Sequence, residues 1–190
     1  MNVKALCGAV LGLAATAGTA HATDIAVGVM AHNIAVVDDK NANKEASPNI
    51  EAQLTFDGVG PAWAGRPHPF LYGSLNTGGD TSFAGVGLEW RWQVADKWRI
   101  DPSLGYVVHT GETDNPFAPG TAQSVNFANE HVLYGSEDLF RLTVAVTHEI
   151  TERANAQVAF THFSHGHIIG SGRNQGVDQL GVRVGYAFGD

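Results

Sequence analysis

The chain is predicted to be all-β: an eight-stranded antiparallel up-and-down transmembrane β-barrel formed by residues 23–190. Three observations predict it. From Thr23 onward about eight runs alternate apolar and polar residues, with almost no helical period. The connections between the runs include three long ones on one rim and tight ones on the other, as in transmembrane barrels with long outer loops and short periplasmic turns. Aromatic residues gather on the apolar faces near strand ends; Trp92 and Trp98 flank one tight turn, as an interfacial girdle would.

The first run is Asp24 to Asn33, with Ile25, Val27 and Val29 on one face. A polar loop, Asp38 to Pro48, leads to Asn49 to Asp57. There Ile50, Ala52, Leu54 and Phe56 alternate with Glu51, Gln53, Thr55 and Asp57. Gly58 to Pro67 is a turn. The third run, Pro69 to Asn76, carries bulky residues on both faces, and Thr77 to Asp80 is a tight connection. The fourth, Ser82 to Val94, sets Val86, Leu88, Trp90 and Trp92 against Gly87, Glu89 and Arg91. After the turn Ala95-Asp96-Lys97 comes Trp98 to His109, in which Pro102 cannot donate to a ladder and should mark a bulge or a strand start. Thr110 to Ser136 is polar and rich in Gly, Pro and Asn, a loop. Asp138 to Ile150, Arg153 to Ser164 and a run ending at Phe188 complete the set, joined by Thr151-Glu152 and the loop His165 to Val177.

Which face looks outward decides the class. The polar face carries Glu51, Glu89, Arg91, Arg99, Asp101, Arg141, Glu149 and Arg183, a mixed set able to fill a narrow lumen with ion pairs. The apolar face carries Trp90, Trp92, Trp98, Tyr106, Tyr186 and Phe188. The inverse arrangement, a lipocalin-like soluble barrel, is the structural alternative. The chain has no disulfide to support it, and its runs are long enough for tilted spans of about 9–11 residues.

Residues 1–22 are predicted to be a secretory signal peptide: Lys4, a short apolar core, and the small-x-small site Ala20-His21-Ala22. The only cysteine, Cys7, falls inside it, so the mature chain would rely on packing and hydrogen bonds. The formal charge is −8; removing the leader takes away only Lys4, leaving 10 basic against 19 acidic residues and a charge of −9. That balance argues against a nucleic-acid partner. No run after Ala22 has the length and apolarity of a spanning helix.

Chemistry concentrates at the end of the seventh run. Its apolar face continues from Phe160 into His162 and Ser164, and Asp178 heads the apolar face of the eighth run. If the runs pair as a hairpin, the three side chains share its loop end on the lipid side. Ser164 would be a nucleophile, His162 its base, and Asp178 the group that orients the imidazole. Backbone N–H groups at His165 and Gly166 would hold the oxyanion. The bland alternative is an ordinary polar pair at a membrane rim. A metal site at His162, His165 and His167 is another, but no cysteine or metal-binding motif accompanies them; neither metal nor cofactor is expected.

The stretch Phe160-Thr161-His162-Phe163-Ser164, then Gly172-Arg173-Asn174-Gln175-Gly176-Val177-Asp178, then Gly185-Tyr186-Ala187-Phe188 resembles the lipid A 3-O-deacylase family, the PagL type often called acyloxyacyl hydrolase. The specific similarity covers about the last 50 residues; the earlier strands match in pattern only. The resemblance implies an outer-membrane barrel that removes an ester-linked acyl chain from lipid A without a cofactor. It implies His162 as base, Ser164 as nucleophile and Asp178 as the acid. His165 follows the serine where the family usually has Asn, and Asp178 stands where it often has Glu. The implied partners are lipid A or lipopolysaccharide and the outer-membrane lipids, with the active site at the outer leaflet and a homodimer left open. The competing functions are a non-catalytic barrel whose loops bind surfaces, and an outer-membrane phospholipase.

Overall fold

The computed structural model describes residues 22–37, 44–170 and 173–188. The predicted leader, with Cys7, lies outside them apart from Ala22, which opens the first strand. Outside them too lie 38–43, 171–172, Gly189 and Asp190.

Among the described residues, nine strand segments form one antiparallel sheet: β1 (Ala22–Ala31), β2 (Asn49–Phe56), β3 (His68–Asn76), β4 (Phe83–Glu89), β5 (Trp92–Ala95), β6 (Trp98–His109), β7 (Asp138–Glu149), β8 (Ala154–Ser164) and β9 (Val177–Ala187). Each pairs with its neighbours, β1 with β9 closes one side, and β4 with β6 closes the other. Segments β4 and β5 both pair with β6 and form a single stave broken at Trp90 and Arg91. The result is a closed barrel of eight staves, as the alternating runs predict.

The break explains Pro102. It lies inside β6, paired with Val144 on β7, and its carbonyl accepts from Trp90 N–H at 2.9 Å. The missing donor faces the interrupted stave, so the irregularity falls on the neighbouring strand rather than at the proline. Two residues are passed over, so alternation continues in phase through the gap. Trp90 folds against the turn before β3, its indole N–H donating to Ala64 O at 3.0 Å.

The two faces separate as the alternation predicts. Val27, Val29, Val158, Val182 and Val184 are exposed on the outer wall, Val182 at 62% and Val184 at 65%. Glu51, Glu89, Asp101, Arg141 and Arg183 are buried within. In the lumen Arg91 meets Asp24 at 2.8 Å and Glu89 at 3.1 Å. Asp101 takes Arg99 at 2.8 Å and the Thr147 hydroxyl at 2.6 Å. Arg141 lies over the ring of Tyr72, 4.0 Å from its centroid, while Tyr72 donates to Glu51 at 2.9 Å. An apolar skin around a paired polar interior is the arrangement of a barrel in lipid, the inverse of a soluble one.

Both bulky faces of β3 now have a reason. Phe70 and Tyr72 point inward and join Phe83, Val107, Val132, Tyr134, Leu139, Phe163 and Val177 in an apolar plug. Leu71 and Leu75 share the opposite, outward-facing parity of the strand, and Leu75 is exposed. Within the loop 110–136, expected to be irregular, residues Ala122–Glu130 form a helix, α1. Thr121 caps it, its hydroxyl accepting from Ser124 N–H at 3.2 Å. No residue of α1 is buried, so it has no apolar stripe for sequence to show.

Glu45, buried in the first loop, ties that rim together. Its carboxylate accepts from the Thr81 hydroxyl at 2.6 Å and from Val132 N–H at 2.8 Å, and lies 3.4 Å from His32 Nε2. Gln179 faces the other ring nitrogen of His32 at 2.7 Å. A Gln179 amide donating there leaves Nε2 of His32 as the donor toward Glu45. Burial alone would raise the Glu45 pKa, but these donors outweigh it and hold the carboxyl below its ordinary 4.5.

Two outcomes follow from this architecture. Val182→Arg, in the middle of the outer wall, is expected to cost about 2–4 kcal/mol in urea titrations of the barrel in vesicles; an unchanged stability would contradict an outward-facing Val182. Glu45 has a lowered folded pKa, so its contribution is present above about 4.5 and fades as the pH falls through the folded value. Amide exchange at Val132, corrected for its intrinsic pH dependence, should therefore lose protection below that pH in wild type. In Glu45→Gln the protection should be weak throughout.

Candidate active site

Strand β8 brings the predicted residues to the rim of the long loops. Its inward residues Thr161 and Phe163 are fully buried, and Phe163 stacks on Phe83 at 4.1 Å between centroids with planes 7° apart. Burying a phenylalanine contributes about 1.5–3 kcal/mol and a good stack about 0.5–1.5 kcal/mol more. With Phe163 held inside, His162 and Ser164 are turned to the outer wall, and both are half-buried there.

The β8–β9 register sets His162 directly opposite Asp178. His162 Nδ1 lies 2.6 Å from Asp178 Oδ1, and the side chain of Asp178 is fully buried while that of His162 is 20% exposed. An ionised carboxylate only accepts, so Nδ1 carries the proton and Nε2 is left as the base. Ser164 stands two residues on along the same face, roughly 6–7 Å away between α-carbons. Among the described residues, no hydrogen bond joins its hydroxyl to the ring. Two of the three predicted residues are thus in contact and the third is adjacent.

Residues that the spacing does not reveal shape this pair. A Cβ on Gly176 would lie 2.8 Å from His162 Cε1 and 3.1 Å from the Phe163 carbonyl, so only glycine leaves room for the imidazole. The chain before β2 also reaches the acid: Ile34 N–H donates to Asp178 O at 3.0 Å, and Val37 N–H to Asp178 Oδ2 at 2.5 Å. Gly176 is visible in the sequence as part of the pattern Asn174-x-Gly176-x-Asp178, but the room it makes for His162 is not. The two amide contacts have no sequence signal at all.

The loop after Ser164 is held by His165. Its ring is buried; Nδ1 accepts from His167 N–H at 3.1 Å, so Nε2 is the donor to Arg173 O at 2.9 Å. Gly166 and His167 adopt left-handed backbone with φ of 59° and 56°. Of the two amides expected at the oxyanion, that of His165 donates to Asn174 Oδ1 at 3.2 Å. With both nitrogens of His165 engaged by backbone, the alternative trio His162, His165 and His167 does not form; among the described residues no three such side chains converge to hold a metal.

No family model matches the chain, and a search of curated proteins finds no significant relative. Solved structures do resemble it. The outer membrane enzyme PagL is similar over 86% of this chain and 98% of that one, at 12% identity and a TM-score of 0.57. A designed transmembrane β-barrel (7% identity, 87% and 95% covered, TM-score 0.47) and the Yersinia pestis outer membrane protein Ail (7%, 87% and 99%, 0.46) are further matches. The chain has the fold of an outer-membrane β-barrel. At this identity the likeness speaks for the fold alone.

The Gly176 contact gives a direct check. Gly176→Ala is expected to shift the His162 ring resonances in NMR spectra while the strand amides of the barrel stay in place. An unmoved ring would contradict the close approach.

Proposed function

We propose that this protein is an outer-membrane esterase that removes an ester-linked acyl chain from lipid A. The observation that carries the reading is the 2.6 Å contact between His162 Nδ1 and a buried Asp178 on the lipid-facing wall, with Ser164 beside them at the long-loop rim. A histidine oriented by a carboxylate is the general base of serine hydrolases. Its place on an apolar outer surface favours a substrate whose ester lies at the membrane interface. The sequence resemblance to lipid A deacylases favours lipid A as that substrate, and the structural likeness to PagL supports the outer-membrane barrel that would carry the site.

In the proposed reaction a small rotation brings the Ser164 hydroxyl onto His162 Nε2; such contacts are often long before substrate arrives. Ser164 Oγ attacks the acyl carbonyl as its proton passes to Nε2, forming a tetrahedral oxyanion. The Gly166 amide, together with that of His165 if Asn174 yields it, donates to that oxygen. The intermediate collapses, the C–O bond to the sugar breaks, and the imidazolium returns its proton to the departing oxygen. Water then attacks the acyl-enzyme by the same route and releases the fatty acid. Asp178 keeps Nδ1 protonated throughout and stabilises the imidazolium.

The test is a comparison of lipid A from cells making wild type or Ser164→Ala. Wild type is expected to produce lipid A lighter by one ester-linked acyl chain, and the variant none of it. In a purified assay Ser164→Ala should lower kcat by at least about a thousandfold. Unchanged acylation with folded wild type would contradict the proposal, and release of fatty acid from phospholipid instead would point to a phospholipase.

A further inference from the structure

The chain between β1 and β2 does more than connect strands. After Ala31, the last residue paired with β9, Ile34 N–H still donates to the Asp178 carbonyl at 3.0 Å and prolongs the ladder by one bond. Asn33 lies between, in left-handed backbone with φ of 53°, a conformation asparagine tolerates. Its side chain donates to Lys44 O at 2.7 Å, pinning the start of the loop to its far end. This bend carries the chain across the top of β9 and sets Val37 N–H on Asp178 Oδ2 at 2.5 Å. The Val36 and Val37 side chains are both 65% exposed, so it is the backbone of this segment that faces inward to the acid.

We propose that Val37 is a positioning residue: its backbone N–H holds the Asp178 carboxylate so that Oδ1 stays aimed at His162 Nδ1. The role in turnover rests on the esterase reading given above; the effect on the imidazole does not. A carboxylate joined to its partner by one oxygen can swing about its side-chain torsions. Val37 fixes the second oxygen from an element that belongs to neither β8 nor β9. The acid is thereby held on one side by the histidine and on the other by the backbone of residues 34–37, and that short stretch becomes part of the site. Cross-strand pairing puts Leu142 of β7 and Asp178 of β9 on either side of His162, so Asp178 is the charged member of the pair. Loosening it weakens the stabilisation of the imidazolium.

The experiment is an NMR titration of the His162 ring in the full barrel, in detergent or nanodiscs, for wild type, Val37→Pro, Val37→Ala and Asp178→Asn. Proline removes the N–H; alanine keeps it. Val37→Pro should move the His162 midpoint toward acid, in the direction of Asp178→Asn, while Val37→Ala stays at the wild-type value. A folded Val37→Pro barrel with an unmoved midpoint overturns the proposal. A second reading needs no change at Val37. Its amide proton should be downfield and slow to exchange in wild type, and lose both properties in Asp178→Ala; a freely exchanging wild-type amide overturns the proposal equally. In turnover, Val37→Pro should lower kcat by at least about tenfold with KM unchanged and shift the acid limb of the pH profile downward. If wild type cleaves no ester, the esterase reading fails while the His162 midpoint still decides the role of Val37.

Discussion

Everything in this molecule depends on the closure of the hydrogen-bonded ladder and the register it fixes. A sheet edge in hydrocarbon would leave donors and acceptors without partners, at several kcal/mol for each group. Pairing of β1 with β9 and of β4 with β6 removes both edges. Closure also leaves each strand one inward and one outward face. A slip of one residue between β8 and β9 would send His162 into the lumen and Phe163 into lipid. The register His162 opposite Asp178 is therefore set by the whole wall, not by the attraction between the two side chains.

The interior makes that register specific. Toward the long-loop rim it is filled by stacked and packed rings, Phe163 on Phe83 with Phe70 and Tyr72 nearby. Elsewhere in the lumen, acidic and basic groups pair, Arg91 with Asp24 and Arg183 with Glu51 between segments and Arg99 with Asp101 along β6. Oily groups would pack poorly among those ions, and the ions would be costly in the wall. Above the rim, Glu45 and His165 organise loops by accepting from and donating to backbone at several points. The outward pair at the end of β8 thus rests on an inward aromatic, a glycine that makes room, and loops tied to the same strand ends.

Much of this is legible in the residues because each strand meets two different surroundings. The alternation in β2, β7, β8 and β9 gives both the strands and the face that His162, Ser164 and Asp178 share. The break between β4 and β5 is not legible, since skipping two residues preserves the alternation; Pro102 signals it, but from the strand next door. Helix α1 is hidden because it buries nothing and so needs no stripe. The amides of Val37 and Ile34 and the carbonyl of Arg173 are backbone groups, and no residue type marks them. His165, read as an oxyanion amide or a metal ligand, has a third use that only the loop's folded path discloses.

The central claim is that the end of β8 faces the bilayer from outside a closed barrel. A chain of residues 23–190 contains no cysteine, so a single spin label at Ser164→Cys can be placed without background. Power-saturation measurements in bilayers should find that label accessible to dissolved oxygen and close to the interface, while one at Thr161→Cys, on the inner face, is shielded from it. A label at 164 that is shielded like the one at 161 would contradict the account.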